Sequence, residues 1–144
     1  MEHPKTVGDR TTLAVIAGLH SAGYDVLLPF GENTRYDLVI DGGGRLARVQ
    51  CKTGRLREGA IRFNTCSSYA HHSNPRASNR DYLGQVDLFA VHCSDTGGVY
   101  LVPIGDLPTK RTATLRVAPA RNSQIRGIRQ AAKYRVASVN VVAS

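Results

Sequence analysis

Residues 35–54, from Arg35-Tyr36-Asp37 through the glycines 42–44 to Gln50-Cys51-Lys52-Thr53-Gly54, constrain the chain more than any other stretch. Alternating apolar residues flank Gly42-Gly43-Gly44, the pattern of two short strands joined by a tight turn. Tyr36, Leu38 and Ile40 fall on one face of the first strand, and Ala47, Val49 and Cys51 on one face of the second. Both sets reach one core only if paired residue numbers sum to an odd value, because a one-residue slip turns one set to solvent. A two-residue turn at Gly43-Gly44 fixes that register and predicts Asp37 opposite Gln50, with Lys52 two residues further on the same face. A carboxylate, an amide oxygen and an ammonium then gather on the side of the hairpin away from the core.

The rest of the chain is read around this hairpin. Helical spacing predicts a first helix over 7–22, with Thr6 as N-cap, Asp9 in its first turn and Gly23 as its stop. Its apolar stripe is Leu13, Ile16, Ala17 and Leu19 beside His20. A strand over 24–30 precedes the hairpin, and a basic turn over 53–59 follows it. A strand over 60–66 is expected to turn Ile61, Phe63 and Thr65 to one side. Residues 67–81 read as a long polar loop, residues 86–93 as a buried central strand and residues 99–104 as its neighbour. An edge strand over 114–117, a basic amphipathic helix over 122–134 and a short apolar tail over 136–144 complete the order. One domain over 1–144 is expected, α/β or α+β in class, with a central mixed sheet flanked by helices.

Charge narrows the partners. The 144 residues carry 19 Lys+Arg, most of them arginine, against 11 Asp+Glu, for a formal net charge of +8. Arginine matches phosphate oxygens bidentately, so the excess points to nucleic acid. Trp is absent and no aromatic stacking platform stands out, which argues against single-stranded RNA. No apolar run reaches the ~18 residues of a membrane span and the first residues lack a signal-peptide pattern, so a cytoplasmic protein is expected. Cys51, Cys66 and Cys93 lie far apart inside strand-like runs and read as reduced, buried thiols. His92 reads as a packed strand residue and Asp87 as a structural acid.

The polar patch suits phosphodiester chemistry. A hard cation such as Mg²⁺ takes oxygen ligands and keeps several waters, so one or two carboxylates with a neutral oxygen suffice. Asp37, the Gln50 side-chain oxygen and the Cys51 carbonyl are the candidate ligands, Asp9 adds a second carboxylate, and Lys52 orients or deprotonates the attacking water. The bland alternative is a solvated sheet face with an incidental ion pair.

Asp37, followed after twelve residues by Gln50-Cys51-Lys52, resembles the PD-(D/E)XK nuclease signature. A wider set resembles its group I intron-associated, homing-type branch: Gly8-Asp9, residues 29–33 (Pro-Phe-Gly-Glu-Asn), Arg35-Tyr36-Asp37, Val49 to Gly54, Gly84 to Asp87, Val99 to Pro103, and Asn122, Gln124, Ile128, Arg129, Ala132 and Tyr134. The resemblance spans about residues 5 to 135. It implies a restriction-endonuclease-like core and a Mg²⁺-dependent DNA endonuclease, of homing or junction/repair type, in which Mn²⁺ can substitute. Asp37, Gln50, Lys52 and Asp9 become the catalytic set, with Gln50 where most members carry an acid and Asp9 where a Glu is expected. DNA contact is expected from Arg35, Arg48, Arg55, Arg57, Ser67, Ser68, Arg76, Arg80, Arg121, Arg126 and Arg129. A chain this short implies a homodimer or homotetramer on DNA. The competing reading is a DNA-binding protein that keeps the nuclease fold without catalysis.

Overall fold

The structure is a computed structural model, and it describes residues 3–31, 33–66, 84–107, 111–118 and 128–137. The expectations for Ser67, Ser68, Arg76, Arg80, Arg121, Arg126 and the 138–144 tail lie outside the described residues.

The helix α1 (Pro4–Ser21) leads into β1 (Asp25–Leu27), β2 (Leu38–Gly42) and β3 (Arg45–Arg57). Then come β4 (Ala60–Asn64), β5 (Leu88–Cys93), β6 (Gly98–Pro103), a 3₁₀ turn (Ile104–Asp106), β7 (Thr112–Arg116) and the short α2 (Ala131–Tyr134). The strands form one mixed sheet in the order β1-β2-β3-β4-β7, with β5 pairing β3 in parallel and β6 pairing β5 antiparallel. The β2–β3 register is the one the sequence dictates: Leu38 faces Val49 and Gly42 faces Arg45, both pairs summing to 87. Gly43 and Gly44 both hold positive φ, 64° and 83°, as a type I′ turn requires.

Helix α1 differs from its sequence reading at its start and along its face, whereas Gly23, at φ 96° just past the Ala22 cap, is the stop expected. It starts at Pro4 under a His3 cap, so Asp9 lies beyond the first turn. The buried stripe is Thr11, Val15 and Leu19, while Leu13 is 67% exposed. The expected stripe holds Leu19 but not Thr11, whose contact is polar, and it does not weigh the close approach at Gly18. Thr11 Oγ1 lies 2.6 Å from Thr53 Oγ1, and a Cβ on Gly18 would come within 2.8 Å of Val99 Cγ2.

The strand expected over 24–30 is only Asp25–Leu27, since Pro29 cannot continue the ladder. The basic turn expected over 53–59 is instead the second half of the 13-residue β3. Gly54 is no turn residue: a Cβ there would sit 2.6 Å from Ile61 Cγ2 and 2.8 Å from Val91 Cγ1. The reversal falls at Glu58-Gly59, with φ of 50° and 80°. The helix expected over 122–134 is helical only at Ala131–Tyr134 among its described residues. Upstream, Arg116 bridges Gln130 and its N–H donates to the Arg129 carbonyl at 2.7 Å, so sheet pairing replaces helix there.

Hydrophobic clusters cover both faces of the sheet. Val15 and Leu19 of α1 meet Leu38, Ile40, Val49, Ala90 and Val99 on one face, with Cys51 packed against them. Ile61, Phe63, Phe89, Val91, Tyr100, Val102, Leu115 and Ala131 fill the other. Tyr36 packs against this second cluster rather than with Leu38 and Ile40, because the chain leaves the strand before residue 38. The polar patch of the hairpin therefore borders a second core instead of facing open water.

Candidate active site

Strand β3 carries the site because its two edges are used unequally. On one edge β5 pairs with it from Val49 to Gly54. On the other, β2 ends at the Leu38–Val49 pair and β4 begins at Arg55–Arg62. Backbone groups alternate sides along a strand, so residues 49, 51, 53 and 55 turn their N–H and C=O toward this second edge. Between β2 and β4 it is a notch, open over residues 50–54.

Asp37 stands at one lip of the notch. Its N–H donates to the Val49 carbonyl at 2.8 Å, and its Oδ2 accepts the Cys51 N–H at 2.7 Å. By the same alternation the Cys51 carbonyl points to Asp37's side of the strand, while the thiol points to α1 and meets Thr12. Burial, aided by the charge of Asp37, pushes that thiol up to about 12, so Cys51 offers the site its backbone and not a thiolate. All three cysteines are free thiols; Cys93 is fully buried, as expected, whereas Cys51 and Cys66 are only half-buried.

Gln50 projects to the opposite face from Cys51. Its Nε2 donates to the Arg35 carbonyl at 2.9 Å, which fixes the amide so that Oε1 points away. That Oε1 is buried and accepts no hydrogen bond from a described residue. Such an orphan is costly unless something electropositive meets it. Lys52 lies on the same side, its Nζ donating to the Cys66 carbonyl at 2.8 Å and resting 5.3 Å from the Phe89 ring centre. The Cys66 peptide is itself held, because its N–H donates to Asn64 Oδ1 at 2.7 Å.

Burial sets the protonation states. Desolvation pulls the Lys52 ammonium down to about 8, although the charge of Asp37 opposes the shift. Asp37 is exposed as a residue, yet its carboxyl turns in toward β3. Desolvation there raises its pKa above the usual carboxylate value, against the Cys51 N–H and the Lys52 charge. The carboxyl group, not the exposed backbone, governs this direction.

The structure thus brings Asp37, Gln50, Cys51 and Lys52 together at one notch. Asp9 is placed differently: its carboxylate is 66% exposed and pairs with Lys5 at 3.6 Å on the surface of α1. Arg48 grips Asp87 through its backbone N–H at 2.8 Å, its Nε at 3.1 Å and its Nη2 at 3.1 Å, and donates Nη1 to the Gly84 carbonyl. Asp87 is the structural acid expected, holding the entry to β5, with its pKa lowered by those bonds. Arg55 and Arg57 are exposed at the far end of β3, whereas Arg129 is half-buried beside β7 and its Nε has no hydrogen-bond partner among the described residues. Sequence reasoning missed the Cys66 carbonyl, whose role comes from tertiary contact with Lys52, and Asn64, which holds the Cys66 peptide in place. No cluster of three His, Cys, Asp or Glu suited to a metal occurs among the described residues, so a cation here has to rely on the mixed donor set.

Comparison with known proteins agrees with this fold. No curated protein matches the chain. The structure of a bacterial homing endonuclease, I-Ssp6803I, is similar with a TM-score of 0.65 at 22% identity, over 94% of this chain and 88% of that one. Hjc, a Holliday junction resolvase from Archaeoglobus fulgidus, aligns over 94% of both chains at 12% identity with a TM-score of 0.48. The family model described as PD-(D/E)XK endonuclease matches residues 2–137. With that match across nearly its whole length, and a restriction-endonuclease-like sheet beneath its Asp37–Gln50–Lys52 notch, the chain belongs to the PD-(D/E)XK endonuclease family.

Proposed function

We propose that the chain is a Mg²⁺-dependent DNA endonuclease that hydrolyses phosphodiester bonds at the β3 notch, with Mn²⁺ able to substitute. The observation that carries this reading is the buried Gln50 Oε1, with no hydrogen-bond partner among the described residues, on the residue preceding the Cys51 whose N–H holds the Asp37 carboxylate. Asp37, Gln50 Oε1 and the Cys51 carbonyl form an all-oxygen set of the kind a hard cation takes, with one formal charge and room for waters. A divalent ion held there supplies Lewis acidity toward a phosphoryl oxygen and acidifies a bound water. The neutral Gln50 leaves the charge to Asp37, whose Oδ2 is aimed by the Cys51 N–H.

Lys52 acts on the water's proton. With its pKa at about 8, a substantial share of the side chain is a neutral amine at mildly alkaline pH and can accept that proton. The Cys66 carbonyl and the Phe89 ring hold its Nζ in place. We also read the working form as a homodimer or homotetramer, because Leu27, Leu28, Phe30 and Leu46 expose apolar surface around the β1 edge, with Phe30 fully open.

Supercoiled-plasmid nicking in Mg²⁺ and in Mn²⁺, by wild type, Asp37→Ala and Lys52→Ala, tests the enzyme reading. Wild type is expected to convert the plasmid and both variants to lose that activity. A wild-type protein that binds DNA yet never cuts with either metal supports the competing, non-catalytic reading.

A further inference from the structure

Beyond the notch, the outer half of β3 meets β4 and β7 in a three-stranded layer with one apolar and one basic face. Arg55 lies directly opposite Arg62, and Arg57 and Arg116 flank Ala60 on either side in the same row. Residues paired across strands share a face, so these four arginines project together, with Asn64, Thr112 and Thr114 among them. Their alternates, Ile61, Phe63, Ala113 and Leu115, are buried in the second core. Like charges directly opposite destabilise a sheet. Nothing among the described residues repays that cost: Arg55, Arg57 and Arg62 are exposed and form no ion pair with a described residue. Arg116 alone is tethered, its Nε donating to the Ala118 carbonyl at 2.9 Å.

The face continues into a groove of about 520 Å³ between α1 and β3, where Arg10, Thr11 and Thr53 meet Arg55, Arg57 and His92. Asp95 also lines it, but its Oδ2 is taken by the Leu56 N–H at 3.0 Å.

We propose that this arginine face and groove hold backbone phosphates of duplex DNA away from the bond that is cut. The inference rests on the nuclease reading above, and it names where the substrate continues. Planar guanidinium forks match phosphate oxygens. A second copy of a chain with net charge +8 would bring like charge to the face. The projecting residues are arginine, threonine and asparagine, so no aromatic is present for the base stacking that single strands use. Strand β4 sets the distance. It runs from Ala60 past Arg62 to Cys66, whose carbonyl touches Lys52. At a rise of roughly 3.3 Å per residue, the Arg62 and Ala60 rows lie about 13 to 20 Å along β4 from that Lys52 contact, or about four to six base pairs along a duplex. Arg55 itself borders the notch and, by alternation, the arginines stand on the α1 face of β3, opposite Gln50 and Lys52.

The test measures binding of 30-base-pair duplexes by fluorescence anisotropy across a salt series, with Asp37→Ala present in every protein so that the DNA survives. Arg55→Gln with Arg62→Gln is expected to lower the slope of log K against log salt by about 1.8 and weaken binding about thirtyfold at 0.15 M. Arg57→Gln alone is expected to lower the slope by about 0.9, and it reads the same surface if the double variant folds poorly. Unchanged slopes in both variants overturn the proposal. So does a variant whose sedimentation shows altered self-association while its DNA slope stays the same. The two readings separate cleanly: with Asp37 intact, binding at full slope without cutting sinks the nuclease reading and leaves this face, whereas cutting with unchanged variant slopes does the reverse.

Discussion

Lys52 shows most directly how burial becomes chemistry at the level of one residue. Its Nζ lies over the Phe89 ring and meets a backbone carbonyl, and desolvation lowers its pKa from 10.5 to about 8. A lysine so placed destabilises the fold while charged. Between pH 8 and 10.5 the unfolded chain still holds a proton that the folded chain has released, so stability rises with pH across that window. Thermal melts of wild type should therefore gain up to roughly 3 kcal/mol from pH 8 to 10.5 through this residue. Lys52→Met should be more stable at pH 7, lack the rise, and lose plasmid cleavage by about 10²–10⁴-fold. Melts with the same pH dependence in both proteins would contradict the burial of a titrating amine. Gln50 complements Lys52: one is a buried donor whose pKa is lowered, the other a buried acceptor that the proposed cation would meet. That Gln50 and Lys52 share a side was legible from alternation alone. That Gln50 Oε1 has no partner was not, because it depends on Nε2 reaching the Arg35 carbonyl fifteen residues away.

At the level of elements, β3 is where the sequence misleads and the structure explains why. Thr53-Gly54-Arg55 looks like punctuation, and a glycine between polar residues normally marks a turn. Here it marks a crowded crossing, where β4 and β5 press Ile61 and Val91 onto the backbone of β3. Gly54→Ala should cost about 1–3 kcal/mol in denaturant unfolding, as overpacking does, since neither neighbour is the flexible tip of a long side chain. A neutral substitution would show that β3 is less tightly held than described. The long strand matters because it spans both halves of the sheet and leaves the notch between its two antiparallel partners. The β2–β3 register, by contrast, follows from the sequence: a glycine turn and two apolar sets admit one pairing. The first helix is intermediate. Its existence is plain from spacing, but its buried face is set by Thr11 and Gly18, which hydropathy does not weigh.

At the scale of the molecule, two apolar clusters hold the sheet from both sides, and the candidate site lies at a strand edge between them. The basic charge is distributed to match. Arg48 is bound up with Asp87, while Arg55, Arg57 and Arg62 stand open on a face that β4 connects to the notch. Composition announced the excess of arginine, and only cross-strand pairing shows which arginines stand together. The proposed cation would be held at the notch by oxygens of Asp37, Gln50 and Cys51. The most direct test is a crystal of the full chain soaked in Mn²⁺ and measured for anomalous scattering. The account predicts a peak within about 2.0–2.6 Å of the Asp37 carboxylate and Gln50 Oε1, absent from Asp37→Ala. A soaked crystal with no peak there, or with its ion bound elsewhere, would contradict it.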